Sequence, residues 1–390
     1  MINSKDLLKK ILLYAFPIIA FMLCLFAEET SLAAKKALYL CLDVVIPSLF
    51  PFFVLSGIIT PYMSALSCPN ILKRIIEKVL KLPYYSIIII LLGFISGYPN
   101  GAKMTKDMFN EGLIDSRQAT KLLTATNYCS PLFIVGTVGA GLFKSLKLGL
   151  FLLLIHWVSG VLSAYITGKI VNYDKGFQPN NLVVPTKSRR SVKQSKPFSV
   201  QLTSSIESAA ILCVKLTGFI TFFAVASELL SQLSVFTFLG KGLSILFDTG
   251  SENFSELITA VFKGVIEITS GAQAVSQIKG MQLNMQLAAI SLIFGFAGFS
   301  AHSQIIGIMN GTGAKYRIFF LAKLLHGVLG CLLTLTTIYL MPMTVETATI
   351  GVMPAITWSW GRPIIVLALL ASLLAPSFKD NAKSRKSRPY

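Results

Sequence analysis

Apolar residues fall into blocks near 11–27, 37–60, 122–143, 148–170, 206–233, 286–312, 316–340 and 362–377, each long enough to predict a helix that crosses a bilayer. Two further apolar stretches, near 85–110 and 254–283, are interrupted by Gly, Pro and polar residues. Irregular backbone cannot face lipid, so these two predict re-entrant helical hairpins that are covered by protein or line a wet cavity. The first block, Ile11 to Ala27, follows Lys5, Lys9 and Lys10 and lies near the ~17-residue lower limit of a span. A signal peptide is the alternative there, but Ser31 to Ala34 makes a weak cleavage site, and a retained helix is expected.

The pattern repeats. His156 and Gly160 recur 170 residues later as His326 and Gly330, Phe52 and Phe53 as Phe222 and Phe223, Gly101 and Ala102 as Gly271 and Ala272, and Ser130 as Ser300. Gly136 recurs as Gly307 after one inserted residue. Apolar matches are cheap in a membrane protein; Gly, Ser and His matches at one spacing are not. Each copy reads as a span, a hairpin, an interrupted span and a closing span. Three crossings per copy turn the second copy upside down, which brings both hairpin tips to the bilayer midplane. The expected fold class is therefore an all-α polytopic membrane protein of two inverted repeats. The expected organisation is an N-terminal helix (1–35), a first repeat (36–170), a basic linker (171–205), a second repeat (206–340), and a C-terminal helix with a basic tail (341–390).

Composition agrees. The chain is 54% hydrophobic and 13% charged, with a mean hydropathy of +0.69, which excludes a soluble domain. The net charge of +18 comes from short Lys/Arg clusters between apolar runs, a topology signal rather than a nucleic-acid face. Most of these residues fall in segments that become cytoplasmic when both termini are inside. The six cysteines stand singly, so neither a disulfide framework nor a metal site is expected, and no cofactor either. With no triad or phosphate loop at useful spacing, an enzyme is not expected.

Candidate chemistry concentrates at the interruptions. In the first hairpin, Gly97, Pro99 and Gly101 break the helix and free backbone N–H groups; with Lys103 beside them, and Ser96, Tyr98 and Asn100 as hydrogen-bonding partners, they make a candidate anion site. The second hairpin offers Thr269, Ser270 and Gln273 at the matching place, with Glu267 as a candidate for ion coupling or as a partner of Lys263. The interrupted spans add Asn127 and Ser130 in one copy and Ser300, His302 and Gln304 in the other. Gly136 and the stretch Gly307 to Gly311 are expected as packing notches rather than ligands. His156 and His326 are expected to hydrogen-bond across a helix contact that the glycine four residues on permits. Lys215 is expected to pair with Asp43 or Glu207.

The runs GFISGYPNGAK (Gly93 to Lys103), GLIDSRQATKLL (Gly112 to Leu123) and NYCSPLFIVGTVGAGLF (Asn127 to Phe143) resemble the sporulation integral membrane protein family of the YlbJ type, and the likeness extends over about 36–340. The duplicated unit also resembles the nucleoside-recognition, or gate, domain of concentrative nucleoside transporters. The resemblance implies a sporulation protein of the mother-cell-derived outer forespore membrane that moves dipicolinate, a planar aromatic dicarboxylate. The partners expected are that small anion and the lipid bilayer, with a second copy or another sporulation membrane protein as further options and no nucleic acid. A nucleoside permease and a non-transporting scaffold for the spore envelope are the alternatives.

Overall fold

A computed structural model of the protein describes residues 4–65, 69–173, 197–246 and 251–341. Among these residues it is helical throughout, with no strand. Helix α1 (Ser4–Leu25) ends at a bend, and α2 (Ala27–Leu40) runs through a π-helical turn (Cys41–Val45) into α3 (Ile46–Ile59). A short surface stretch follows, α4 (Asn70–Arg74) with a π-helical turn (Ile75–Leu80). The first hairpin is α5 (Ser86–Ser96) and α6 (Asn100–Asn110). The first interrupted span is α7 (Ser116–Thr126) and a π-helical segment (Leu132–Leu142), closed by α8 (Leu146–Tyr173).

The same order returns. Helix α9 (Phe198–Gln232) is the long span and α10 (Val235–Leu246) the surface stretch; α11 (Glu252–Ile266) and α12 (Ile268–Ser276) form the second hairpin; α13 (Leu283–Phe296) and α14 (Gly298–Met309) form the second interrupted span; and α15 (Tyr316–Leu340) closes the unit. Among the described residues, five helical runs are long and apolar enough to cross a membrane: Ala27–Met63, α8, α9, α13 with α14, and α15. The chain is thus an all-α polytopic membrane protein. The first long crossing begins at Ala27, ahead of the expected start near 37. The expected 362–377 span and most of the basic linker lie outside the described residues.

Local sequence sets the breaks. Gly97 (φ +81°) stops α5 in a conformation that side chains disfavour, and Tyr98–Pro99 is a cis peptide before α6. Asp115 starts α7 with a reciprocal capping box: its carboxylate accepts from Gln118 N (2.7 Å), and Gln118 Oε1 accepts from Asp115 N (3.1 Å). Pro131 re-enters helix at the segment's first turn, where a missing N–H costs nothing.

The halves interlock by exchange. Met104 and Met108 of the first hairpin share a core with Ile305 and Met309 of the second interrupted span. Leu257, Ala260, Ala272 and Val275 of the second hairpin share the other core with Ile134 and Val138 of the first. In lipid the hydrophobic drive between helices is small, so close packing carries the association. Glycines permit it at Gly139 against Gly149, Gly295 against Gly327, and Gly93 and Gly101 against the Thr126 backbone. The expected notches at Gly136 and Gly307 are not close contacts. A Cβ at Gly136 would meet only Leu132 of its own helix, at 3.5 Å, and one at Gly307 would meet nothing within 4 Å. Outside this body, α3 and α9 pair through Leu49, Phe53, Ala209, Cys213 and Leu216.

Candidate functional site

Both hairpin tips and both helix breaks converge on one cavity of about 120 Å³, roofed by α2, α3 and α9. Tyr98 comes from the first hairpin and Glu267 and Thr269 from the second; Ser130 and Ser300 come from the two breaks, with Gln304 one turn further on. Ser130 and Ser300, 170 residues apart in the chain, line the same space. Leu40, Ile220, Glu267 and Thr269 also line a vestibule of about 490 Å³, whose walls carry Ser270, Gln273, Glu29, Lys36, Glu228 and Lys263. Six of the expected residues therefore line the cavity, and Ser270 and Gln273 line the route to it.

Glu267 is buried, and it turns back on its own hairpin. Its carboxylate accepts hydrogen bonds from Thr269 N (3.0 Å), Ser270 N (2.8 Å) and Ser270 Oγ (3.1 Å). It is the N-cap of α12, and the amide groups expected to greet a ligand are held by this internal carboxylate. Only its backbone N–H bonds Lys263, through the Lys263 carbonyl, so the expected side-chain pair does not form.

The first tip is filled differently. Ala102 N donates to Asn127 Oδ1 (3.2 Å), so the interrupted span caps α6. Asn127 Nδ2 donates to Leu123 O (2.8 Å), and Asn100 Nδ2 donates to Ser96 Oγ (3.0 Å). Ser96, Asn100, Gly101 and Asn127 thus build the tip from within and do not line the cavity. Lys103 is also displaced from its expected place. It lies one turn down α6, paired with Asp107 at 2.8 Å and away from the cavity walls. His302 is fixed structurally, its Nδ1 to Tyr316 Oη (3.0 Å) and its Nε2 to Phe296 O (2.9 Å), again off the cavity.

The cation that does reach the centre is Lys323 on α15, which is 1% exposed. Its Nζ donates to the Asn127 carbonyl and sits over the rings of Tyr98 (5.2 Å) and Tyr128 (5.3 Å). One turn on, His326 stacks on His156 (ring centroids 4.5 Å apart) and bonds its carbonyl at 2.9 Å, while His156 Nε2 accepts from Cys129 N (3.0 Å). Gly160 leaves the space beside His326 and Tyr128, as the histidine expectation requires. Lys215, Asp43 and Glu207 are all exposed, and no ion pair joins them among the described residues.

Lys323 is not among the residues expected from the sequence. The available signal was the repeat itself, since the position 170 residues earlier is Leu153. A charge in one copy where the other is apolar, inside a span, marks a special position.

No family model and no solved structure matches the chain. Among curated proteins, the sporulation integral membrane protein YlbJ of Bacillus subtilis (strain 168) is 29% identical over 311 residues, covering 76% of this chain and 74% of its own length. Identity sustained over about three quarters of both chains, together with the all-α membrane architecture, makes this chain similar to the sporulation integral membrane protein YlbJ.

Proposed function

We propose that the chain is a secondary carrier that moves a small planar carboxylated aromatic solute of the dipicolinate class, acting at the outer forespore membrane during sporulation. One observation carries this reading: two hairpin tips and two broken helices meet at a single cavity, as in carriers built from inverted repeats. At about 120 Å³ the cavity is below the ~300 Å³ of a pocket for drug-sized ligands, which suits a single-ring solute. Glu267 holds the place a cargo carboxylate would take, so loading exchanges one carboxylate for another at the Thr269 and Ser270 amides. Lys36 and Lys263 in the vestibule stand beside Glu29 and Glu228, so its walls carry both signs of charge on the way in.

A second reading, a permease for a neutral hydroxylated solute such as a nucleoside, is favoured by the lining itself. Ser130, Ser300, Thr269 and Gln304 line the space with Tyr98 beside an apolar wall of Leu40, Val44, Leu49 and Leu216, and no Lys or Arg lines it. Uptake into proteoliposomes separates the two when dipicolinate, a nucleoside and a pH gradient are varied independently. The carrier reading expects dipicolinate flux that falls in Ser130→Ala and Ser300→Ala. Flux of nucleoside alone selects the second reading, and flux of neither solute refutes both.

A further inference from the structure

Lys323 has a setting unlike that of an ion-pairing lysine. It is 1% exposed, and no carboxylate pairs with it among the described residues. Its ammonium is met by the carbonyl of Asn127, where α7 has ended and the backbone is extended (φ −111°, ψ 97°), and by the faces of Tyr98, Tyr128 and Phe319 at 5.2, 5.3 and 5.7 Å. An unwound carbonyl at a broken helix is the group with which carriers of this architecture coordinate sodium, and aromatic faces attract cations without neutralising them. Every partner of this ammonium is neutral. The donor set is therefore that of a monovalent cation site, with the cation supplied by the chain itself.

We propose that the Lys323 ammonium is a tethered replacement for a free metal cation at the first helix break, so that the broken span is held in register without sodium. The inference rests on the carrier reading for its importance. The site can be tested without any cargo. Lysine serves better than a free ion where the fold must not depend on external salt, because the amine is covalently held in place. The position is specific to the second half, since Leu153 stands at the equivalent place in the first.

The test is the melting temperature of the purified full-length chain in detergent, in sodium, methylammonium or choline chloride at equal ionic strength. Wild type should melt at the same temperature in all three. Lys323→Ala, which removes three methylenes with the ammonium and so leaves room for a small cation at the Asn127 carbonyl, should melt lower in choline and regain roughly 2–4 °C, saturably, in sodium or methylammonium. Lys323→Met fills the space without charge and should stay low in every salt. The proposal is overturned if Lys323→Met melts with wild type, if Lys323→Ala responds to neither small cation, or if wild type itself gains saturably from sodium. Should Lys323→Ala fail to fold, wild type and Lys323→Met decide between these outcomes. Proteoliposome flux run in the same salts keeps the two readings apart: an absence of cargo flux sinks the carrier, whereas the melting data alone bear on the cation site.

Discussion

Removing the Glu267 carboxylate should loosen the second hairpin without unfolding the protein. In the folded state this side chain accepts two backbone N–H bonds and one hydroxyl bond at the start of α12. If the amides of Thr269 and Ser270 were sealed from water, losing their acceptor would cost ~1–3 kcal/mol each. They are not sealed, because both residues line the 490 Å³ vestibule, where water can take over. The loss should therefore be that of an N-cap, ~0.5–2 kcal/mol for Glu267→Ala. Glu267→Gln keeps an acceptor oxygen and loses mainly the charge–dipole part, ~0.3–1 kcal/mol. At 1.4 kcal/mol per tenfold, local opening should rise roughly 2- to 30-fold in the first variant and less than about 5-fold in the second. Hydrogen–deuterium exchange followed by mass spectrometry on peptides within 264–277 measures this, with 93–107 as the internal control. Unchanged exchange at 264–277, or an equal rise in both hairpins, would refute the capping argument.

Other perturbations separate architecture from site. Gly101→Ala should lower the melting temperature, because its Cβ would meet the Thr126 carbonyl, with ~1–3 kcal/mol lost to overpacking, while Gly307→Ala, in open space, should leave it unchanged. Lys103→Ala should cost under about 1 kcal/mol, since its partner Asp107 is 33% exposed, and should leave solute flux intact in proteoliposomes. His302→Ala should reduce thermal stability by ~1–3 kcal/mol through the unpaired Phe296 carbonyl and Tyr316 hydroxyl, yet leave the solute concentration for half-maximal uptake unchanged.

Hydropathy made the long helices legible, and Gly/Pro interruptions located both hairpins to within a few residues, because lipid forbids irregular backbone except where something covers it. The cavity residues Ser130 and Ser300 were legible for a different reason: a repeat spacing of polar residues survives in a chain where most positions need only be apolar. What could not be read was direction. Whether a carboxylate at a hairpin tip faces a ligand or folds back on its own amides is decided by rotamers and local cap geometry, and Glu267 folds back. Spacing along α6 likewise cannot say that Lys103 reaches Asp107, at i+4, sooner than it reaches the cavity. The glycine contacts were misplaced for a related reason, since a notch needs a backbone opposite it and the sequence does not name that neighbour.

The departures from the repeat are more informative than the matches. At the 170-residue spacing, Gly97 stands against Glu267, Tyr98 against Ile268, and Leu153 against Lys323. Each pair lies at a hairpin tip or against a helix break, and each puts the functional group in one copy only. A perfectly symmetric body would offer the same surface to both sides of the membrane and would have no means of distinguishing them. With the acid confined to the second tip and the phenol to the first, the two halves line the cavity with different chemistry. If this asymmetry sets the preferred direction, removing the acid with Glu267→Gln should bring the ratio of inward to outward flux in oriented proteoliposomes toward one. An unchanged ratio in the folded variant would show that direction is set outside the cavity.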